Sequence, residues 1–198
     1  AVDINDGSIV TYVSSPSFSV NKIANGLTQN EFDELINDDD KPFFDRAAQG
    51  RYSPASTIKP AIGLFGIDKD ILDWEYTIQD PGFFILPEDG RIYRGWKKGG
   101  HGEINLKDAI IESSNTFFFS LAYQTEIEEL RAHLSNFGFG KNVCDDCFMP
   151  DNGLLPSPRW KMNTHNFGWF KGDTVNVGVG QGYILSLIHI SEPTRPVV

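Results

Sequence analysis

The chain has 198 residues, 40% apolar and 22% charged, the balance of a soluble globular domain able to bury a sizeable core. Its formal net charge of -10 leaves no basic surplus to neutralise phosphates, which argues against nucleic acid and anionic lipid surfaces as partners. The longest apolar runs, Phe117 to Tyr123 and Gly182 to Ile190, fall short of the about 20 residues that a membrane helix needs. No charged n-region or cleavable apolar segment stands at Ala1, so location is not read directly from the residues.

In chain order, AVDI and SIVTYVS around Asn5-Asp6-Gly7 predict a hairpin over residues 1–15, because Asp-Gly between β-branched runs matches the backbone of a tight turn. Thr28-Gln29-Asn30-Glu31 is a capping-box pattern ahead of Phe32, Leu35 and Ile36, and predicts a short surface helix ended by Asp38-Asp39-Asp40. Those three aspartates are read as solvated loop, not as a cation site. After Lys59, AIGLFGI is apolar on nearly all sides and predicts a helix in the middle of the domain, with Ser56 at its start.

From Asp68 to Gly102 the Gly, Pro and aromatic content predicts short strands and turns. Asn105 to Ile111 reads as helix, is interrupted at Ser113-Ser114-Asn115, and resumes in TFFFSLAY. Another helix is expected from Glu126 to Leu134, stopped by the glycines of FGFG. Cys144 and Cys147 form one C-x-x-C in a polar loop without further ligands for zinc; the pair is read as a loop feature able to close a short disulfide in an oxidising compartment. Pro150 to Gly172 reads as irregular and VNVGVGQGY as strand-like.

Two short patterns carry chemistry. In Ser56-Thr57-Ile58-Lys59, positions i and i+3 share a helix face, so the Ser56 hydroxyl is expected beside the Lys59 amine. Burial and the positive helix N-terminus would lower the ammonium pKa, and a neutral Lys59 can accept a serine proton. The bland alternative is an N-cap serine with a solvated lysine. A second S-x-x-K, Ser19 to Lys22, reads as a polar loop after Pro16 with no helix behind it. In Ser113-Ser114-Asn115, a hydroxyl and a carboxamide at a corner between helices can face a cleft, or Asn115 can simply cap the following helix.

These two motifs in this order are the first two of three that mark penicillin-binding proteins and class A β-lactamases. VSSPSF, DRAAQGRYSPASTIKP, DPGFF, GWKKGGHG, ESSNTFFFSLAY, FGFG, GLLPSPRWK and GDTVNVGVGQGY together resemble the elongation-type class B penicillin-binding proteins, the penicillin-binding protein 2 family, from Ala1 to about Tyr183. The resemblance implies an α/β chain of the α+β type with the transpeptidase fold shared with serine β-lactamases, an antiparallel sheet flanked by helices. It also implies acyl transfer: Ser56 as nucleophile on a D-alanyl-D-alanine stem peptide, Lys59 as base, and Ser113 and Asn115 in the proton relay and substrate positioning. β-Lactams, as mimics of that dipeptide, would acylate the same serine. Implied partners are peptidoglycan stem peptides, β-lactam antibiotics and the membrane-embedded elongation machinery; the implied location is the periplasmic face of the bacterial inner membrane. Serine β-lactamase and a penicillin-sensing module are the alternative readings.

The third motif, K-T-G, does not occur in the chain, so the domain is expected to be partial over residues 1–185, truncated before its C-terminal strands, with an exposed sheet edge and no turnover. Residues 186–198, SLIHISEPTRPVV, resemble a translated sequencing adapter and are read as a non-native tail. No cofactor is expected. Some family members hold zinc beside the second motif; Asp80 and His101 fall at two of its positions, while Gly95 and Ser114 occupy the others and supply no comparable ligands, and Asp80 ahead of Pro81 reads as a turn residue.

Overall fold

The structure, a computed structural model, describes residues 1–142 and 151–186. The C-x-x-C pair and residues 187–198 of the tail lie outside the described residues. The N-terminal third holds three short helices: α1 (Val20–Ala24), α2 (Gln29–Asn37) and α3 (Arg46–Gln49). A 3₁₀ turn, Ala55–Ile58, leads into α4 (Lys59–Asp68), followed by β1 (Thr77–Asp80), β2 (Phe83–Ile85), β3 (Ile92–Arg94) and β4 (Gly102–Asn105). Then come α5 (Leu106–Ile111), α6 (Asn115–Tyr123), α7 (Ile127–Asn136), α8 (Pro158–His165) and α9 (Lys171–Val177).

The class is α+β. Among the described residues the antiparallel pairing is distributed over two ribbons: β1 with β4, in the register Asp80 opposite Gly102, and β2 with β3, in the register Phe84 opposite Tyr93. Isolated bridges join Tyr52 to Ser186 and Leu154 to Leu185. None of the described helices is long and apolar enough to cross a membrane.

The core forms around α4 and α6, the two helices whose sequences are apolar on every side and which therefore need covering all round. Ile58, Ile62 and Phe65 meet Phe117, Phe118 and Leu121, with Leu106, Leu130, Leu134, Val175 and Ile184 closing the surround. Glycine brings α9 against α6, since a Cβ on Gly178 would stand 2.3 Å from the Ala122 Cβ. Lys161 ties α8 to α9 through a 2.6 Å ion pair with Asp173.

Several expectations change. The turn of the N-terminal hairpin closes, with Asp3 N–H to Ser8 O at 2.8 Å, but only Val2 and Ile9 pair beyond it. Ile4, Val10 and Val13 stay exposed, and a two-stranded ribbon without a buried face does not extend. Ser19 is not in a bare loop: it caps α1, accepting from Lys22 N–H. Part of the segment read as irregular is α8, which starts on Ser157 as cap with Pro158 in the first turn, where a missing N–H costs nothing. VNV is helical within α9: the Asp173 carboxylate accepts from Phe170 N–H at 2.8 Å and closes the first turn, so tertiary packing overrides β propensity.

The capping box at Thr28 forms as read, with Thr28 N–H to Glu31 Oε2 at 2.9 Å, and α2 buries no residue. Thr28→Ala is therefore expected to loosen α2 by about 1 kcal/mol without moving the global melt. Amide hydrogen exchange over residues 29–37 should speed up accordingly; a lowered global melting temperature would show instead that α2 is coupled to the core.

Candidate active site

Ser56 stands in the 3₁₀ turn, where residues three apart eclipse one another, so Ser56 and Lys59 lie on one side of the chain. Pro60 is tolerated because the early N–H groups of a helix have no partner to lose. The serine is exposed, whereas the lysine is 1% exposed and ranks among the largest fully buried side chains.

Lys59 Nζ donates to Ser113 O at 2.8 Å, to Ser113 Oγ at 3.0 Å and to Asn115 Oδ1 at 2.7 Å. An ammonium carries three protons, and here three acceptors meet them. Burial pulls the Lys59 pKa down from 10.5 to about 8. The Phe118 ring lies 5.5 Å below the amine and helps keep water from it.

The expected direct contact between Ser56 and Lys59 is not made: among the described residues, the Ser56 hydroxyl has no hydrogen bond to the amine, which is committed to Ser113 and Asn115. Ser113 Oγ is the contact whose direction reverses by a mere turn of the hydroxyl hydrogen, whereas the Ser113 carbonyl only accepts and Asn115 would have to flip its whole amide. Once Lys59 loses a proton, Ser113 can donate to the free lone pair. The cluster is thus a proton-handling hub adjacent to an accessible hydroxyl.

The corner that carries Ser113 is built by local backbone chemistry. Ser114 N–H bonds to Ala109 O at 2.9 Å and Ser113 N–H to Ile110 O at 3.2 Å, the pairing of a Schellman motif at the end of α5. That motif wants a left-handed residue, and Ser113 adopts φ 52° in the place where glycine is commonest. The strain puts a hydroxyl where glycine would offer none. Ser114, not Asn115, caps α6: its Oγ accepts from Phe117 N–H at 3.2 Å, leaving the Asn115 amide free for Lys59.

Behind the corner lies a buried polar chain. Ser114 Oγ donates to Asp80 Oδ2 at 2.8 Å, and His101 Nδ1 meets the same oxygen at 2.6 Å. Gly82 N–H bonds Asp80 Oδ1 at 2.7 Å, so the turn role read for Asp80 is present as well. Burial alone would raise the Asp80 pKa, but the hydrogen bonds from His101, Ser114 and Gly82 outweigh it and hold the carboxyl below its ordinary value. With Asp80 ionised, His101 Nδ1 carries the proton. Its Nε2 is buried without a hydrogen bond, 4.0 Å from Glu112 Oε2.

This donor set does not fit zinc. The Asp80 and His101 atoms that face each other are already paired, Ser114 is spent on Asp80 and Phe117, and Gly95 has no side chain. Among the described residues no group of three or more His, Cys, Asp or Glu converges on a common point.

Sequence reasoning named Ser56, Lys59, Ser113 and Asn115, and the last three meet at one amine. It took Asp80 and His101 as weak metal candidates and missed that they support Ser114, a contact between residues 34 apart that has no local sequence signal. It also missed Gly180, whose contact with Ala55 across the fold has no local signature.

Known proteins share this arrangement of elements. The chain is 42% identical over 182 residues to the peptidoglycan D,D-transpeptidase MrdA of Acinetobacter baumannii, a match covering 92% of this chain and 27% of that protein. It is 36% identical over 181 residues to MrdA of Escherichia coli, covering 91% and 29%. The chain thus spans under a third of the length of these relatives. Among solved structures, Pseudomonas aeruginosa PBP2 in complex with WCK 5153 superposes with a TM-score of 0.85 at 37% identity, covering 90% of this chain and 39% of that one. The Helicobacter pylori PBP2 in complex with MreC does so with a TM-score of 0.77 at 31% identity, covering 84% and 31%. With the sequence model of the penicillin binding protein transpeptidase domain matching residues 1–192, the chain belongs to the penicillin-binding protein transpeptidase family.

Proposed function

We propose that the protein carrying this chain is a peptidoglycan D,D-transpeptidase that cross-links stem peptides through an acyl-enzyme on Ser56. The observation that carries the reading is the buried Lys59 amine, held by Ser113 and Asn115 one turn from an exposed serine. Neutral Lys59 takes the Ser56 proton as Oγ attacks the carbonyl carbon between two terminal D-alanines. The Ser56 N–H, in the first turn where helical N–H groups lack partners, donates to the developing oxyanion. As the tetrahedral intermediate collapses, the C–N bond breaks and the departing amine takes its proton from Lys59 through the Ser113 hydroxyl. The amine of a second stem peptide then attacks the ester; Lys59 accepts its proton and passes it to Ser56 Oγ as the ester C–O bond breaks, which restores the serine hydroxyl and the neutral amine. Asn115 positions the substrate amide.

β-Lactams are the expected suicide substrates, because their strained amide occupies the place of the D-alanyl-D-alanine bond. The Helicobacter pylori relative is seen with MreC, which supports elongation-machinery proteins as partners here; the location that goes with this reading is the periplasmic face of the inner membrane.

The test uses the full-length protein and a pentapeptide ending in D-alanyl-D-alanine. Release of free D-alanine that disappears in Ser56→Ala is the expected result; release unaffected by that substitution would overturn the reading. Rapid turnover of penicillin would favour a β-lactamase instead, while penicillin acylation without D-alanine release would favour a sensor module.

A further inference from the structure

The turn that carries Ser56 is held from outside by a residue that neither motif contains. Ala55, just before the serine, has φ 48°, a region in which a side chain with a Cβ is strained. Its N–H donates to Gly180 O at 2.9 Å, and the Ser53 hydroxyl donates to the same carbonyl. Gly180 has φ 69°, and a Cβ there would lie 2.2 Å from Ala55 O and 2.7 Å from Ala55 N. Only glycine satisfies both the backbone angle and the close approach.

Gly180 is in turn anchored to the end of α9, with its N–H on Val177 O at 2.9 Å and Gln181 N–H on Asn176 O at 3.0 Å. That end of α9 packs on α6 through Gly178 and Ala122, and α6 begins with Asn115. A rigid path therefore runs from the Asn115 helix, through Gly180, to the backbone beside Ser56.

We infer that Gly180 is a positioning residue for Ser56: through Ala55 it fixes the serine's turn against the Lys59, Ser113 and Asn115 cluster. The inference rests on Ser56 being the nucleophile. A displacement of about 1 Å at a reacting atom costs on the order of 10²-fold in rate.

The experiment is stopped-flow acylation of the full-length protein by a fluorescent penicillin, separating the acylation rate constant from the initial binding constant, with active-site titration to count folded sites. Gly180→Ala is expected to slow acylation of the titratable sites by on the order of 10²-fold, with binding changed less than about threefold. Gly90→Ala is the control for backbone strain alone, since Gly90 has φ 71° with nothing within 4 Å of an added Cβ; its rate should match the parent. Ala55→Gly should melt no lower than the parent and still acylate several-fold more slowly, because the turn is released while the fold is not. Parental rates in the titratable sites of Gly180→Ala, or in Ala55→Gly, would overturn the inference and leave the proposed function standing. A parent protein that forms no adduct on Ser56 would overturn both.

Discussion

Replacing Lys59 by Met should lower the rate of acylation by penicillin by on the order of 10³-fold or more, with little change in melting temperature. Methionine fills nearly the same buried volume but cannot take the Ser56 proton. Lys59→Arg should be as inactive, because a guanidinium stays charged and its planar fork does not fit three acceptors arranged for an ammonium. A Lys59→Met protein acylated within tenfold of the parent would contradict the assignment.

The pH dependence follows from the same group. Burial lowers the Lys59 pKa from 10.5 to about 8, so at neutral pH most of it is protonated and cannot act as base. The acylation rate should rise about tenfold per pH unit below 8 and level off above it. Stability moves in the same direction. Between about 8 and 10.5 the unfolded chain holds a proton that folded Lys59 has released, so folding strengthens with pH across that window. The Lys59→Met protein should lack this slope in urea titrations, and a slope retained unchanged would assign it to another group.

Asp80→Ala is the second large effect, here on stability. Asp80 is 3% exposed and accepts from His101, Ser114 and Gly82, so its removal leaves the buried Ser114 hydroxyl and two part-buried donors without an acceptor. Stripping one partner from a buried charged network costs about 3–5 kcal/mol, which for a domain of this size lowers the melting temperature by roughly 10 °C. Asp80→Asn keeps the shape and an acceptor oxygen, and should recover part of the loss. Because the donors do not form a zinc site, a chelator should leave the melt unchanged. A melt within about 2 °C of the parent for Asp80→Ala, or a chelator-induced loss that zinc restores, would contradict this account of the cluster.

What could be read in advance was local. The all-round apolarity of AIGLFGI and TFFFSLAY placed α4 and α6 at the centre, and the Thr28 capping box is written in four consecutive residues. The S-x-x-K and S-x-N spacings pointed to Lys59 and Asn115, which meet although 56 residues apart. Non-local causes were not legible. VNV looks like a strand until Asp173 closes the turn before it, and Pro158 looks like a loop residue until Ser157 is recognised as a cap. The capping of α6 by Ser114 depends on Asp80 from a strand far along the chain, which orients a hydroxyl that sequence alone gives no reason to prefer over Asn115. The absence of a direct bond from Ser56 to Lys59 has the same origin: the competing acceptors arrive from the α5 to α6 corner.

The proposed chemistry has Ser56 as a nucleophile served by a buried, partly neutral amine. Its most direct test is intact-mass spectrometry of the full-length protein after brief exposure to penicillin, followed by mapping of the modified peptide. One adduct on the peptide containing Ser56 and Lys59, absent in Ser56→Ala, is the predicted result. An adduct on any other residue, or one that survives Ser56→Ala, would contradict it.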